Sequence, residues 1–194
     1  MAMTQAQILI DFEEEVGEAF GAVSDADVIR WFNLGQSRLR RKYEKVAEIV
    51  WTAALRSVAL PTDYLGFGRL TVNAGISPEP WYVFGDTLIL QDPGGASSAG
   101  GARLHYYSEW PNVTAAAPSQ LTTVEDQACM NFALHRFFKK LLSNHSHYAR
   151  FAALVGQETM EREWMKQESD RYYQDFLDAR DDTPSLPPAF FYEG

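Results

Sequence analysis

The stretch that decides the fold has three pieces, VALPTDYLGFGRLTVNAG at 58–75, WYVFGDTLILQDP at 81–93 and ARLHYYSEWP at 102–111. Each piece alternates apolar and polar residues over a few positions and ends in a turn signal, which is typical of short β-strands. Gly85-Asp86 separates two of the strand patterns by two residues, as in a tight hairpin. We therefore expect four or five short strands that form a small antiparallel sheet or sandwich.

The sequence before this β region has the spacing of amphipathic helices. Thr4 begins a Thr-x-x-Gln capping box, and Ser24 supplies a second N-cap with acidic residues in the following turn. Apolar residues then recur every three or four positions. These signals predict a first helix that ends near Gly17 or Gly21 and a second helix that ends near Lys45.

The sequence after the β region predicts two more helices. Thr122 to Glu125 forms a third capping box, and the helix that it begins is apolar over a wide arc to about Leu142. A polar break follows, and a final helix is predicted from about His147 to Ala179, with a thinner apolar stripe.

The predicted fold class is α+β, mainly α: a helical bundle with a small antiparallel β-sheet or sandwich inserted between the N-terminal and C-terminal helices. We expect residues 1–47 and 118–180 to form the bundle and residues 48–117 to form the inserted β region. Residues 181–194 are rich in proline, which excludes a helix, so we expect an extended C-terminal tail.

The composition is that of an ordinary folded protein, since 46% of the 194 residues are hydrophobic and 22% are charged. The single cysteine, Cys129, excludes an intrachain disulfide and a thiolate metal cluster, and it fits synthesis in a reducing cytoplasm. No apolar run reaches the roughly 20 residues that a membrane span needs, and the acidic N-terminal sequence is unlike a signal peptide. We therefore expect no membrane partner.

The charge argues against a protein that binds nucleic acid through its phosphates. The formal net charge is −9 at pH 7 and the pI is near 4.9, whereas such binding comes from clustered Lys and Arg. One basic cluster, Arg38 to Lys42, is predicted late in the second helix, where it suits the negative end of the helix dipole. An acidic wall would let a DNA duplex slide past it rather than adhere.

No set of residues indicates an enzyme or a bound cofactor. His145 and His147 lie at a helix junction without an acidic or cysteine neighbour, so a polar turn and cap is favoured over a metal site. His105 and His135 fit structural histidines, and Cys129 fits a small core residue. The acidic runs fit solvated faces, and no Ser/His/Asp or Cys/His pattern is recognisable. We expect no catalytic residue, no metal and no cofactor.

Two segments are candidates for contacts with partner proteins. The loop between two predicted strands is a mobile tip or a loop that orders against a neighbouring subunit, and its candidate residues are Gly94, Gly95, Ser97, Ser98, Gly100 and Gly101. The tail carries three adjacent aromatic residues, which are typical of interface anchors rather than of free termini. Its candidate docking residues are Leu186, Pro187, Pro188, Phe190, Phe191 and Tyr192.

The order of these features resembles the head–tail connector, or adaptor, proteins of tailed bacteriophages. The resemblance rests on DVIRWFNLGQ at 27–36, VALPTDY at 58–64, YVFGDTLIL at 82–90 and LHYY at 104–107. It implies a non-enzymatic virion protein at the neck, made in the bacterial host cytoplasm. It also implies a ring of about twelve copies beneath the portal vertex, with interfaces that repeat head to tail around the ring. The implied partners are the portal protein and a downstream tail or nozzle protein, and DNA passes through the ring without specific binding.

Two other interpretations stay open. A stopper or another tail-completion protein of the phage neck would share this composition and this lack of catalytic groups. A small-ligand or enzymatic domain would need a deep pocket, lined by convergent polar groups, between the sheet and the helices.

Overall fold

The computed structural model describes residues 3–49, 57–72, 75–76, 81–90, 102–143, 145–155 and 162–182. The helices are α1 (Gln5–Val16), α2 (Asp25–Arg38), α3 (Thr123–Ser143), α4 (His145–Val155) and α5 (Arg162–Asp182), and a 3₁₀ helix, Gly17–Ala22, follows α1. The strands are β1 (Tyr43–Ile49), β2 (Ser57–Ala59), β3 (Gly66–Val72), β4 (Gly75–Ile76), β5 (Trp81–Phe84), β6 (Thr87–Leu90) and β7 (Ala102–Ser108). The fold is α+β and mainly α, which confirms the predicted class.

The chain divides into two compact units, each with its own core. The helical unit comprises Met1–Arg41 and Trp110–Ser185, and the β unit lies within Lys42–Glu109. Helical segments therefore stand on both sides of a β segment in the sequence. The predicted ranges 1–47, 118–180 and 48–117 remain a prediction about which segments fold together.

The predicted N-caps of the first two helices are confirmed. The hydroxyl of Thr4 accepts a hydrogen bond from the backbone N–H of Gln7, and that of Ser24 accepts one from Asp27, both at 3.2 Å. Each bond satisfies an N–H group that has no partner inside its own helix. α1 then ends at Val16, close to the predicted end, and passes into the 3₁₀ helix.

The core of the helical unit is built around α3, as its wide apolar arc predicts. Phe12 of α1 and Phe151 of α4 both make edge-on contacts with Phe137 of α3, at 5.6 and 6.3 Å between ring centroids. Phe176 of α5 lies 5.0 Å from Phe132, on another side of the same helix. Because α3 is covered by several helices, its buried side chains include most of its length: Ala128, Cys129, Met130, Phe132, Ala133, Leu134, Phe137 and Leu141.

The prediction that the second helix reaches Lys45 is wrong, because α2 ends at Arg38. Leu39 is extended, with φ −62° and ψ 145°, and Tyr43–Ile49 form β1 instead. In β1 alternate side chains are exposed, and its backbone groups pair with β7 along seven residues. The spacing of Tyr43 and Val46 imitates a helical stripe, but the gain from pairing with a distant strand is not visible in the local sequence.

The single final helix is also a wrong prediction, since the structure has α4 and α5 in its place. α4 packs on the 3₁₀ helix and α3, whereas α5 packs along α3. The residues between the two helices lie outside the described ranges. In the sequence they include Gly156, a poor helix former that a purely apolar count overlooks.

The β unit contains two antiparallel sheets, with strand orders β1-β7-β3-β4 and β2-β6-β5. The predicted hairpin at Gly85-Asp86 is confirmed, with Gly85 at φ +59°, a conformation that glycine adopts without strain. Leucines from both sheets form one core together with Tyr106: Leu60, Leu70, Leu88 and Leu104. Apolar and polar residues also alternate from Glu48 to Leu60, which predicts a strand there. This segment is described only at its ends, since residues 50–56 lie outside the described ranges.

We expect Gly68→Ala to destabilise the protein by about 1–3 kcal/mol, because the added methyl group would clash with the backbone of the neighbouring strand. The register of β3 and β7 shifts between Phe67 and Arg69, and a Cβ atom at Gly68 would lie 2.9 Å from the carbonyl oxygen of His105. Gly66 in the same strand is the matched control, because its Cβ would meet only the ring of Tyr107, at 4.0 Å. Urea unfolding of both alanine variants tests this. Equal stabilities would contradict it.

Candidate interaction surfaces

An ion pair between the half-buried Arg41 and a buried carboxylate joins the end of the first helical segment to α3. The guanidinium of Arg41 donates from Nε to Oε1 of Glu125 at 2.6 Å and from Nη2 to Oε2 at 2.5 Å. Glu125 is 1% exposed, and its Oε2 also accepts from the backbone N–H and the hydroxyl of Thr122, at 2.9 and 2.8 Å. The predicted capping box is therefore confirmed, and its carboxylate serves two partners at once.

Trp110 joins this ion pair, and we call Arg41, Glu125, Thr122 and Trp110 together the node. Its indole N–H donates to the backbone carbonyl of Arg41 at 2.8 Å, and the guanidinium of Arg41 lies 4.4 Å from the centre of its ring. Residue 41 is where the chain leaves the helical unit, and residue 110 is where it returns. The node thus closes the helical unit across the inserted segment.

Burial of Glu125 by itself would raise the pKa of its carboxyl. The hydrogen bonds from Arg41 and Thr122 outweigh burial and hold this pKa below its ordinary value. The neighbouring Asp126 behaves in the opposite way, because burial raises the pKa of its carboxyl above the ordinary value despite a hydrogen bond from Ser119 at 2.5 Å. The carboxyl of Glu125 therefore ionises more readily than an ordinary glutamate, and that of Asp126 less readily than an ordinary aspartate.

The basic cluster is held by contacts within each unit. Four of its five residues lie beyond the end of α2, so its predicted place in the last helical turn is wrong for them. Arg38 lies 4.9 Å from the ring centre of Phe132, Arg40 pairs with Asp181 at 3.0 Å, and Lys42 pairs with Glu109 at 3.0 Å. With Arg41 on Glu125, these cations are engaged by the protein itself, which argues against a phosphate-binding surface.

The α2 segment that carries the resemblance acts in packing. Asp27 accepts from Lys140 at 2.9 Å, and its carboxyl pKa is lowered chiefly by that hydrogen bond. Asn33 exchanges two hydrogen bonds with the backbone of Val113, at 2.8 and 3.2 Å. A Cβ atom at Gly35 would lie 3.2 Å from the Cα of Cys129, so glycine lets α2 approach α3 closely.

The Leu-Pro-x-Asp-Tyr segment fixes a turn to the four-stranded sheet. Asp63 accepts from Lys45 at 2.5 Å and from the hydroxyl of Tyr106 at 3.0 Å. The hydrogen bond from Lys45 is the main cause that lowers the pKa of Asp63. Tyr64 stacks on Tyr106 with 6.2 Å between the ring centroids. These residues have structural partners within the β unit, which explains their place in the motif.

The histidines that the structure describes in full have structural surroundings. His135 is buried, its Nδ1 lies 2.9 Å from the backbone oxygen of Ser169, and its ring stacks on Tyr173 at 4.6 Å. Burial lowers the pKa of this imidazole. His105 lies 3.3 Å from Glu44 in the β unit. Cys129 is fully buried, as predicted, and burial raises the pKa of its thiol.

The predicted partner-binding residues lie outside the described ranges. This holds for the loop residues Gly94, Gly95, Ser97, Ser98, Gly100 and Gly101, and for the tail residues Leu186, Pro187, Pro188, Phe190, Phe191 and Tyr192. Within the described ranges, no group of three or more His, Cys, Asp or Glu is placed to hold a metal ion. No helix in those ranges is long and apolar enough to cross a membrane.

The sequence reasoning missed one exposed surface. Tyr82 and Phe84 on β5 are 45% and 74% exposed, although both are large aromatic residues. The signal was present in the alternation of the hairpin, which places every second residue on the face opposite the core. Val83 and Leu88 occupy the core side, so Tyr82 and Phe84 must face outward.

The model of the SU10 adaptor protein family matches the chain over residues 3–180. The chain belongs to this family. SU10 adaptors are phage head–tail adaptor proteins, which confirms the resemblance seen in the sequence. No curated protein matches the adaptor closely enough to add a relative.

We expect Arg41→Met to lower the free energy of unfolding of the adaptor by about 3 kcal/mol, because it leaves a buried carboxylate without its charged partner. Lys45→Met is the control: Lys45 is as exposed as Arg41, at 36% and 35%, but its partner Asp63 is 42% exposed whereas Glu125 is 1% exposed. Pairs with an exposed carboxylate contribute at most about 1 kcal/mol. Chemical denaturation of the two variants measures the difference. A loss in Arg41→Met no larger than in the control would contradict the role of the node.

The same node predicts a dependence of stability on pH. Because the folded pKa of Glu125 lies below its ordinary value of 4.5, the pair stabilises the folded state above that pH. This stabilisation is lost as the pH falls through the folded pKa. The raised pKa of Asp126 acts in the opposite direction. We therefore expect Glu125→Gln to lose less stability at acid pH than the unaltered adaptor. Denaturation measured between pH 3 and pH 7, in steps of about one pH unit, tests this. An identical acid loss would show that other groups cause it.

Proposed function

We propose that this adaptor forms a closed ring beneath the portal vertex, extends the DNA channel and receives the next tail component. Membership of a head–tail adaptor family over nearly the whole described chain is the observation that supports this most strongly. A ring at a symmetric vertex requires that one surface of each copy contacts a different surface of the next.

The charge distribution supports a channel through which DNA moves without being held. The net charge is −9, and the basic cluster at 38–42 is engaged by Glu125, Glu109, Asp181 and an aromatic ring. Few cations are therefore left clustered to displace counterions from a duplex. We propose that DNA passes this protein without specific binding and that the neck of the virion is its place of action.

The tail and the glycine-rich loop are the proposed contact segments. In this proposal the aromatic tail residues dock on the portal, and the loop at 94–101 orders against a neighbouring copy. The support is chemical: aromatic residues are enriched where interfaces bury their anchors, and glycine-rich loops order when a partner covers them.

We expect the unaltered chain, mixed with its cognate portal, to give a closed ring of about twelve copies on the portal in native mass spectrometry. Deletion of residues 183–194 should abolish this attachment, because the docking aromatics are lost, while thermal unfolding stays unchanged. The matched control is Thr183→Ala with Ser185→Ala, which keeps the aromatics and should attach normally.

Two results would contradict this proposal. A chain that stays monomeric in the presence of the portal would overturn the ring. Undiminished attachment of the tail deletion would overturn the docking role of the tail and leave the ring standing.

A further inference from the structure

The six described residues on the outer face of the β2-β6-β5 sheet are uncharged. The register places Ser57, Ile89 and Tyr82 in one row across the three strands, and Ala59, Thr87 and Phe84 in the next. We name these six residues the aromatic face. The alternate residues of the same strands, Val58, Leu88 and Val83, belong to the core of the β unit.

β5 lies at an edge of this sheet, because β6 is its neighbour on one side and no other described strand pairs with it. Sheet edges in soluble proteins are usually blocked by charged residues, by proline or by a bulge, which stops them from pairing with other chains. β5 reads Trp-Tyr-Val-Phe and has a continuous register with β6, so within its four residues it has no charge, no proline and no bulge, and only its short length limits pairing along this edge. An edge of this kind, next to an aromatic face, is suited to a protein partner.

Other large apolar side chains that are exposed have acidic neighbours. Ile10 on α1 lies in a segment with Asp11, Glu13 and Glu14, and Val46 on β1 lies between Glu44 and Glu48 on the same face of its strand. Identical acidic chains that met at such positions would bring like charges together, which is unfavourable. None of the six residues of the aromatic face is itself charged, and its nearest acid in the hairpin is Asp86, in the turn between Phe84 and Thr87.

We propose that the aromatic face and the edge of β5 are the surface on which a second copy of this chain packs. With a net charge of −9 per chain, neighbouring copies repel each other over most of their surface, so they associate where the surface is uncharged. Phe84, 74% exposed, is the anchor, and Tyr82 lies two residues away on the same face. This inference rests on the proposed ring and names one side of its subunit contact.

The test introduces a negative charge, of the same sign as the net charge of the chain, on the aromatic face. We expect Phe84→Glu to weaken association between copies by about 30-fold or more, as for loss of an interface anchor. The readout is the number of copies on the cognate portal in native mass spectrometry, measured across a range of protein concentrations. Val46→Glu is the matched control, since it makes a similar change at an exposed strand residue, and it should assemble like the unaltered chain. Because Phe84 is exposed, thermal unfolding should be unchanged; if it is not, Phe84→Ser serves instead.

A photo-crosslinking residue at position 84 identifies the occupant directly. Crosslinks to peptides of this same chain support the proposal. Crosslinks to the portal, or loss of portal attachment with copy-to-copy contacts intact, would assign the face to the portal and overturn it. If Phe84→Glu forms normal rings, the aromatic face is not the contact between copies, but the proposed ring stands. If the unaltered chain forms no ring, the proposed function is wrong as well.

Discussion

The helical unit depends on the ion pair between Arg41 and Glu125. A chain that leaves a helical bundle to build a β region must return to it, and the point of departure and the point of return have to be held together. Arg41 does this by binding the buried carboxylate of α3 while its backbone carbonyl accepts from Trp110. Glu125 caps the start of α3 at the same time, through Thr122. The start of α3 and the closure of the bundle therefore share one carboxylate, whose hydrogen bonds form a single network.

Local chemistry made much of the fold predictable. The caps at Thr4, Ser24 and Thr122 and the turn at Gly85 depend on a few neighbouring residues, and all four are confirmed. The end of α2 was not predictable in this way. The residues from Tyr43 onward have spacing compatible with a helix, and only pairing with β7, almost sixty residues later in the sequence, makes them a strand. Long-range pairing of this kind leaves no mark in a local window.

The residues that carry the family resemblance proved to be structural in the described chain. Asn33 binds the backbone at Val113, Gly35 allows α2 to approach α3, and Asp63 ties a turn to Tyr106. These three residues belong to the scaffold of an adaptor, whereas the motif segment at 82–90 also carries the exposed side chains of Tyr82 and Phe84. Sequence reasoning sought the contact surfaces in the glycine-rich loop and the proline-rich tail, because glycine, proline and aromatic content can be read from a sequence. The exposure of Phe84 becomes visible only when the two faces of a strand are distinguished.

The uncharged edge of β5 affects how copies of the free chain associate in solution. Such an edge can pair with almost any other extended segment, including those of unfolded chains, so it favours aggregation as well as assembly. The acidic remainder of the surface opposes this, because two freely diffusing copies repel each other before their edges can meet in arbitrary orientations. Only an approach that keeps the acidic surfaces apart is tolerated. In the proposed ring, the net charge would thereby favour those encounters between copies that keep their acidic surfaces apart.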